Sequence, residues 1–171
     1  ILKTVGKVKK AQTGTRVRFW ADFQIFPATA SFSWEDLLAR ARQTAFLVPG
    51  LTINCYDERG DEELRESFRF DGGVVDFANW LASDGPVTDT WHITGEGTYN
   101  ETVQALDSKT GHLRATQVER TCEVDIALRW GIGYDTAVRS FVNIIATPKG
   151  GTHVAGFEQA VLKTLRAAID K

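Results

Sequence analysis

Residues 146–157 read ATPKGGTHVAGF, and the fold turns on whether this stretch holds a phosphate or turns a strand into a helix. Lys149, Gly150 and Gly151 followed by Thr152 and His153 offer a lysine, two glycines and helix N-terminal amides, the usual ingredients of an anion site. The order is wrong for a Walker loop, in which the lysine follows the glycines, because Lys149 precedes them. Upstream, TAVRSFVNII has the β-branched and aromatic content of a strand. Downstream, Val154, Phe157, Val161, Leu165 and Ala168 recur at helical spacing as far as Ile169. Gly150, Gly151, Thr152 and His153 therefore read as a structural strand-to-helix turn. The glycines supply backbone freedom, Thr152 caps the helix, and His153 packs or hydrogen-bonds locally. Lys163, Arg166 and Lys171 sit towards the helix C-terminus, where positive charge suits the dipole.

Working outward, ILKTVGKVKK suggests an edge strand with lysines outside, and GTRVRFWAD alternates as a half-buried strand with Val17 and Phe19 on one face. SFSWEDLLARARQTAFLVPG is the clearest helix. Ser33 and Asp36 make a capping pattern, Trp34, Leu38, Ala41, Ala45 and Val48 form one stripe, and Pro49-Gly50 stops it. LTINCYDE and LRESFRF flank an acidic turn and predict a hairpin. GGVVDFANWL predicts a short helix with Val74, Phe77 and Leu81 inward. WHITGEGTYNETVQAL predicts a strand, in which Gly95-Glu96-Gly97 marks a kink or bulge. DSKTGHL reads as a polar loop, and CEVDIALRW alternates as a further strand. The fold class is α+β: one mostly antiparallel sheet with helices packed on one face, in a single domain spanning 1–171.

Composition narrows the function classes. A 43% hydrophobic content with five Trp and ten Phe suffices for one sizeable core. No apolar run approaches the ~18–20 residues of a membrane helix. The net charge of -2 argues against a module that simply coats nucleic acid, although Lys3, Lys7, Lys9, Lys10, Arg16 and Arg18 all precede the first acidic residue, Asp22. Cys55 and Cys122 are isolated and read as buried reduced thiols rather than a disulfide. His92, His112 and His153 lie far apart without metal-ligand spacing, so no metal site is expected, and no nucleophile elbow is present. Residue chemistry alone thus gives an α+β domain with no catalyst.

Four blocks carry a resemblance: GTRVRFWADFQIF, AFLVPGLTINCYDER, FRFDGGVVDFANWL and SFVNIIATPKGGTHVAGFEQAV. In this order, from about Leu2 to Lys171, they resemble the second domain of the B subunits of bacterial type IIA topoisomerases, the family of DNA gyrase and topoisomerase IV. The resemblance implies a transducer domain with a left-handed βαβ crossover, like that of a small-subunit ribosomal protein. Such a domain relays the nucleotide state of a neighbouring ATPase domain to the DNA-cleaving parts and helps line the cavity through which captured DNA passes. It implies a cytoplasmic enzyme that uses ATP and Mg elsewhere in the parent protein, with DNA, the topoisomerase A subunit and a second copy of the B subunit as partners. The family's lysine for ATP lies in a Gln-Thr-Lys loop beyond the Gly-Gly-Thr-His helix. No Gln-Thr-Lys occurs in these 171 residues, so no catalytic residue and no cofactor are expected in this domain.

If the domain meets DNA, the candidate contacts are Arg16 and Arg18 on the polar face of one strand, with Arg129 and Arg139 in two further strand-like segments, making a basic stripe on the uncovered sheet face. The segment 107–118 resembles a variable insert. The competing readings are a nucleic-acid-binding module on the same fold and a small ligand-binding α+β domain with a deep pocket.

Overall fold

A computed structural model describes residues 3–82, 85–106 and 111–170. The chain forms two compact units, Ile1–Ser33 and Trp34–Lys171.

The first unit contains no helix or strand among its described residues. Both strands predicted there are corrected to irregular chain. The alternation of Arg16, Val17, Arg18 and Phe19 specifies which side chains share a face, but a strand exists only when its amides and carbonyls find a partner, and no ladder partner is present in the described part of this unit. Its order is local instead. Asp22 accepts from the backbone N–H of Gln24 through its carboxylate at 2.9 Å and from that of Phe26 through its carbonyl at 2.8 Å. Phe19 meets Phe32 edge-on with ring centroids 6.1 Å apart. Val17, Phe19, Trp20, Phe23 and Ile25 are all exposed.

The second unit runs α1 (Trp34–Leu47), β1 (Ile53–Asp57), β2 (Leu64–Phe68), α2 (Val74–Leu81), β3 (Trp91–Leu106), β4 (Leu113–Leu128), β5 (Phe141–Val142), β6 (Ile145–Ala146) and α3 (Thr152–Ile169). The α+β class holds, but the single sheet does not. The described strands form three separate two-stranded sheets, β1-β2, β3-β4 and β5-β6, each an antiparallel hairpin. Each ladder closes on its sequence neighbour, so no crossover joins parallel strands among them.

The core lies where α1 packs on the β1-β2 hairpin and on α2. Ala41 and Ala45 on α1 are buried with Cys55 and Phe68 of the hairpin, flanked by partly buried Trp34 and Leu38, as the predicted stripe requires. The small side chains let the helix approach the hairpin closely. Phe46, outside that stripe, is the most enclosed large side chain at 1% exposure. It turns towards α2, stacking on Phe70 at 3.6 Å and Phe77 at 4.9 Å between ring centroids. Burying such a ring is worth ~1.5–3 kcal/mol. Arg42 spreads over the rings of Phe68 and Trp80, 5.1 and 5.3 Å from their centroids, and roofs this cluster. The α1–β1 connection must pass close by: Gly73, at φ 59, caps α2 where a Cβ would lie 2.9 Å from Pro49 Cγ.

The β3-β4 hairpin is a ribbon of 16 residues per strand. Its register is one-to-one from Trp91↔Leu128 to Leu106↔Leu113, so Gly95 and Gly97 sit opposite Val124 and Cys122 without a bulge. The regular ladder absorbs both glycines because each still contributes its N–H and C=O. The strand expected from Cys122 begins instead at Leu113, so Leu113–Val118 of the supposed insert are strand, while 107–110 lie outside the described residues. One face of the ribbon carries Trp91, Ile93, Tyr99 and Val103 with Val118, Val124, Ile126 and Leu128; the other carries His92, Thr94, Glu96 and Asn100 with Glu119, Glu123 and Asp125. At the base, Trp91 meets Trp130 at 5.2 Å, and His92 Nε2 lies 2.6 Å from Asp125 Oδ1.

The strand predicted over TAVRSFVNII breaks into the two-residue strands β5 and β6. Asn143 adopts φ 54 between them, a left-handed conformation that asparagine tolerates, and it reverses the chain.

Candidate functional site

A cluster of polar side chains converges where β6 passes into α3. Thr147 follows β6, and its backbone N–H donates to the carbonyl of Ser140 at 2.8 Å, tying the strand ends together. Ser140 Oγ donates back to the carbonyl of Thr147 at 3.0 Å and lies 2.7 Å from Thr147 Oγ1. Thr147 Oγ1 in turn lies 3.1 Å from His153 Nε2. The result is a Ser140–Thr147–His153 chain bridging the β5-β6 hairpin and the first turn of α3.

The turn between them is built by glycine. Gly150 has φ 72 and Gly151 has φ 156, and a Cβ on Gly151 would lie 2.9 Å from His153 Cε1. Gly151 occupies the cap position and no side chain caps the helix. The expectation that Thr152 is the cap is therefore corrected: Thr152 is the first helical residue, because the two glycines complete the reversal one residue earlier. His153 does hydrogen-bond locally, through Thr147. The first intrahelical bond runs from Ala155 N–H to the Gly151 carbonyl at 3.1 Å.

Beside this junction is a cavity of about 320 Å³, lined by Gln43 of α1, Phe141, Ala146 and Thr147 of the hairpin region, and Val154 and Glu158 of α3. Gln43 Nε2 is buried there with no hydrogen-bond partner among the described residues. It is a polar feature that the sequence pattern did not reveal, since Gln43 lies inside a helix whose stripe marked only apolar positions. Ser140 and Thr147 were likewise missed: each is an ordinary hydroxyl in sequence, and only the reversal at Asn143 brings them together.

The strands expected to carry the candidate arginines are not formed at their positions. None of the four arginines lies in a described strand. Arg16 and Arg18 belong to the irregular first unit, where the Arg18 guanidinium lies 4.9 Å from the Trp20 ring centroid. Arg129 follows the last residue of β4 and donates from Nη1 to Asn79 Oδ1 of α2 at 3.2 Å. Arg139 precedes β5, lines the cavity, and donates from Nη1 to the carbonyl of Val138 at 3.1 Å.

The strongest electrostatic feature is at the β1-β2 turn. Arg59 donates from Nε to Asp57 Oδ1 at 2.8 Å and reaches Asp57 Oδ2 through Nη2, while its backbone N–H also donates to Oδ1 at 3.1 Å. These bonds to the charged form hold the Asp57 carboxyl down at about 2. Across the same hairpin, burial and then the facing Glu66 push the Cys55 thiol up. The Asp57–Arg59 bonds brace the turn, and Cys122, expected from sequence to be buried, is exposed. Among the described residues no cluster of His, Cys, Asp and Glu could hold a metal, and no helix is long and apolar enough to cross a membrane.

The family model described as DNA gyrase B matches residues 73–171, more than half of the chain, including the ribbon, the β5-β6 hairpin and α3. The chain belongs to the DNA gyrase B family. It is 35% identical over 166 residues to the DNA gyrase B subunit of Streptomyces coelicolor, covering 88% of this chain. It is also 32% identical to that of Staphylococcus epidermidis and 33% identical to that of Staphylococcus aureus, each alignment covering 97% of this chain. In every case the chain spans 22% of the relative's length. The resemblance read from the four sequence blocks thus holds at the level of the family, and gyrase B proteins are part of a topoisomerase.

Proposed function

We propose that this chain is the transducer domain of an ATP-dependent type II DNA topoisomerase, coupling nucleotide binding and hydrolysis in a neighbouring domain to DNA strand passage. The observation that carries this reading is membership of the gyrase B family by a segment amounting to 22% of its relatives' length. The polar groups seen here brace turns and junctions, which suits a mechanical role better than a chemical one. ATP and Mg would act in the parent protein outside this segment. DNA, the topoisomerase A subunit and a second copy of the parent protein would be its partners in the cytoplasm.

In this reading Arg16, Arg18, Arg129 and Arg139 are candidate contacts to captured DNA, and such contacts would be to phosphates and blind to sequence. The test is the double variant Arg16→Glu/Arg18→Glu in the complete protein, assayed for ATP-driven strand passage across a salt series. Strand passage should slow most at low salt, with the gap closing as salt rises, because the wild type loses more phosphate contacts to screening. ATP binding and DNA cleavage should stay near wild type, so that more ATP is hydrolysed per passage event. Wild-type passage at every salt concentration removes these arginines from the DNA path. A fall in ATP binding matching the fall in passage overturns the coupling role.

A further inference from the structure

The Ser140–Thr147–His153 chain has a fixed direction, which follows from counting protons. Each hydroxyl has one proton to donate. Ser140 Oγ uses its own on the carbonyl of Thr147, at 3.0 Å. In the 2.7 Å contact between the two hydroxyls, Thr147 Oγ1 must then be the donor to Ser140 Oγ. With that proton committed, Thr147 Oγ1 can only accept from His153, 3.1 Å away. His153 must therefore carry its proton on Nε2.

The rest of α3 shows what this chain of bonds restrains. No residue of the helix is buried, and only Val154, Phe157 and Val161 of its predicted stripe are half-buried. Leu165 is 46% and Ile169 82% exposed. No side chain caps the helix, and it is entered through two consecutive glycines with positive φ. Weak packing and a permissive entry leave the direction of the helix to its first turn.

We infer that His153, donating from Nε2 to Thr147, is a latch that fixes the direction in which α3 leaves the β5-β6 hairpin, with Gly150-Gly151 as the pivot that becomes free when the latch opens. Gly151 belongs to the device for a second reason: a Cβ there would strike the imidazole ring, so a side chain at 151 displaces the latch even when His153 is intact. The inference concerns this chain's own geometry and stands independently of the coupling role.

The test is hydrogen exchange on the 171-residue chain, following the amides of Ala155, Gly156 and Phe157 on α3 and of Ala45 on α1. A hydrogen bond contributes a net ~0.5–1.5 kcal/mol, so His153→Ala should speed exchange at the α3 amides by about two- to tenfold and leave Ala45 unchanged. His153→Gln, which offers an amide donor, should restore protection in part. Gly151→Ala should mimic His153→Ala. Nitrogen-15 NMR of the wild-type imidazole should show the neutral ring protonated on Nε2. Unchanged α3 exchange in His153→Ala, equal acceleration at α1 and α3, or a ring protonated on Nδ1 would each overturn the latch.

Discussion

Phe46→Ala is the perturbation that most directly tests where the stability of the second unit resides. The ring is 1% exposed and touches three aromatic neighbours: Phe70 at 3.6 Å, Phe77 at 4.9 Å and Trp80 at 5.8 Å. Truncating a buried Phe costs ~3–5 kcal/mol, from lost transfer energy and the cavity left behind. Aromatic pairing adds about 0.5–1.5 kcal/mol per well-placed pair, which puts Phe46→Ala towards the upper end, at roughly 4–5 kcal/mol. With a urea slope near ~2 kcal/mol/M, the unfolding midpoint should fall by about 2 M. Trp80 lies within the cluster, so its fluorescence in a urea titration reads the transition. Phe23→Ala is the matched control. Phe23 is 68% exposed in the first unit, and its removal should change stability by no more than ~0.5 kcal/mol. A loss below ~1 kcal/mol for Phe46→Ala, or equal losses for the two variants, would refute the placement of the core between α1, the first hairpin and α2.

Acid titration should find Asp57 ionised far below the ordinary carboxylate range. Its folded value, about 2, lies below the ordinary 3.8, so its contribution to stability is complete above the unfolded value and lost as pH falls towards 2. The backbone amide of Arg59, which donates to that carboxylate, should shift with a midpoint near 2, and a midpoint near ~4 would show that the bonds do not form in solution. The isolated chain should bind ATP no more tightly than ~1 mM, worth only about -4 kcal/mol, because the Gly150-Gly151 turn is structural. Calorimetry with a non-hydrolysable analogue giving micromolar affinity would contradict that reading.

The helices were legible in sequence because a helix bonds within itself. Ala41 and Ala45 declared the face of α1, and the pattern from Thr152 to Ile169 matched α3 at both ends. The 91–106 strand was legible too, since its partner follows it in the chain. Residues 15–20 show the opposite case: Val17 and Phe19 alternate as well as any strand, yet alternation names a face and does not supply a partner. Phe46 was missed because α1 buries two faces, and a single stripe recorded only the one towards the hairpin. The site was half legible. The glycines announced a junction, but the left-handed Asn143 that brings Ser140 to Thr147 leaves little trace in a run of strand-forming residues.

The unbroken ladder of the β3-β4 ribbon has a consequence for how its length can change. Along most of it each rung touches only the rungs before and after, so the tip is remote from the core between α1 and α2. Adding or removing two residues per strand moves the tip without altering which side chains face which way. A change of one residue per strand beyond Gly97 and Cys122 keeps cross-strand partners together but turns the distal Tyr99, Val103 and Val118 to the opposite face from Trp91, Ile93, Val124 and Ile126, the face that carries Glu96, Glu123 and Asp125. The hairpin is in this sense a telescoping arm with a step of two residues per strand, free to vary in reach while the body that carries it stays the same.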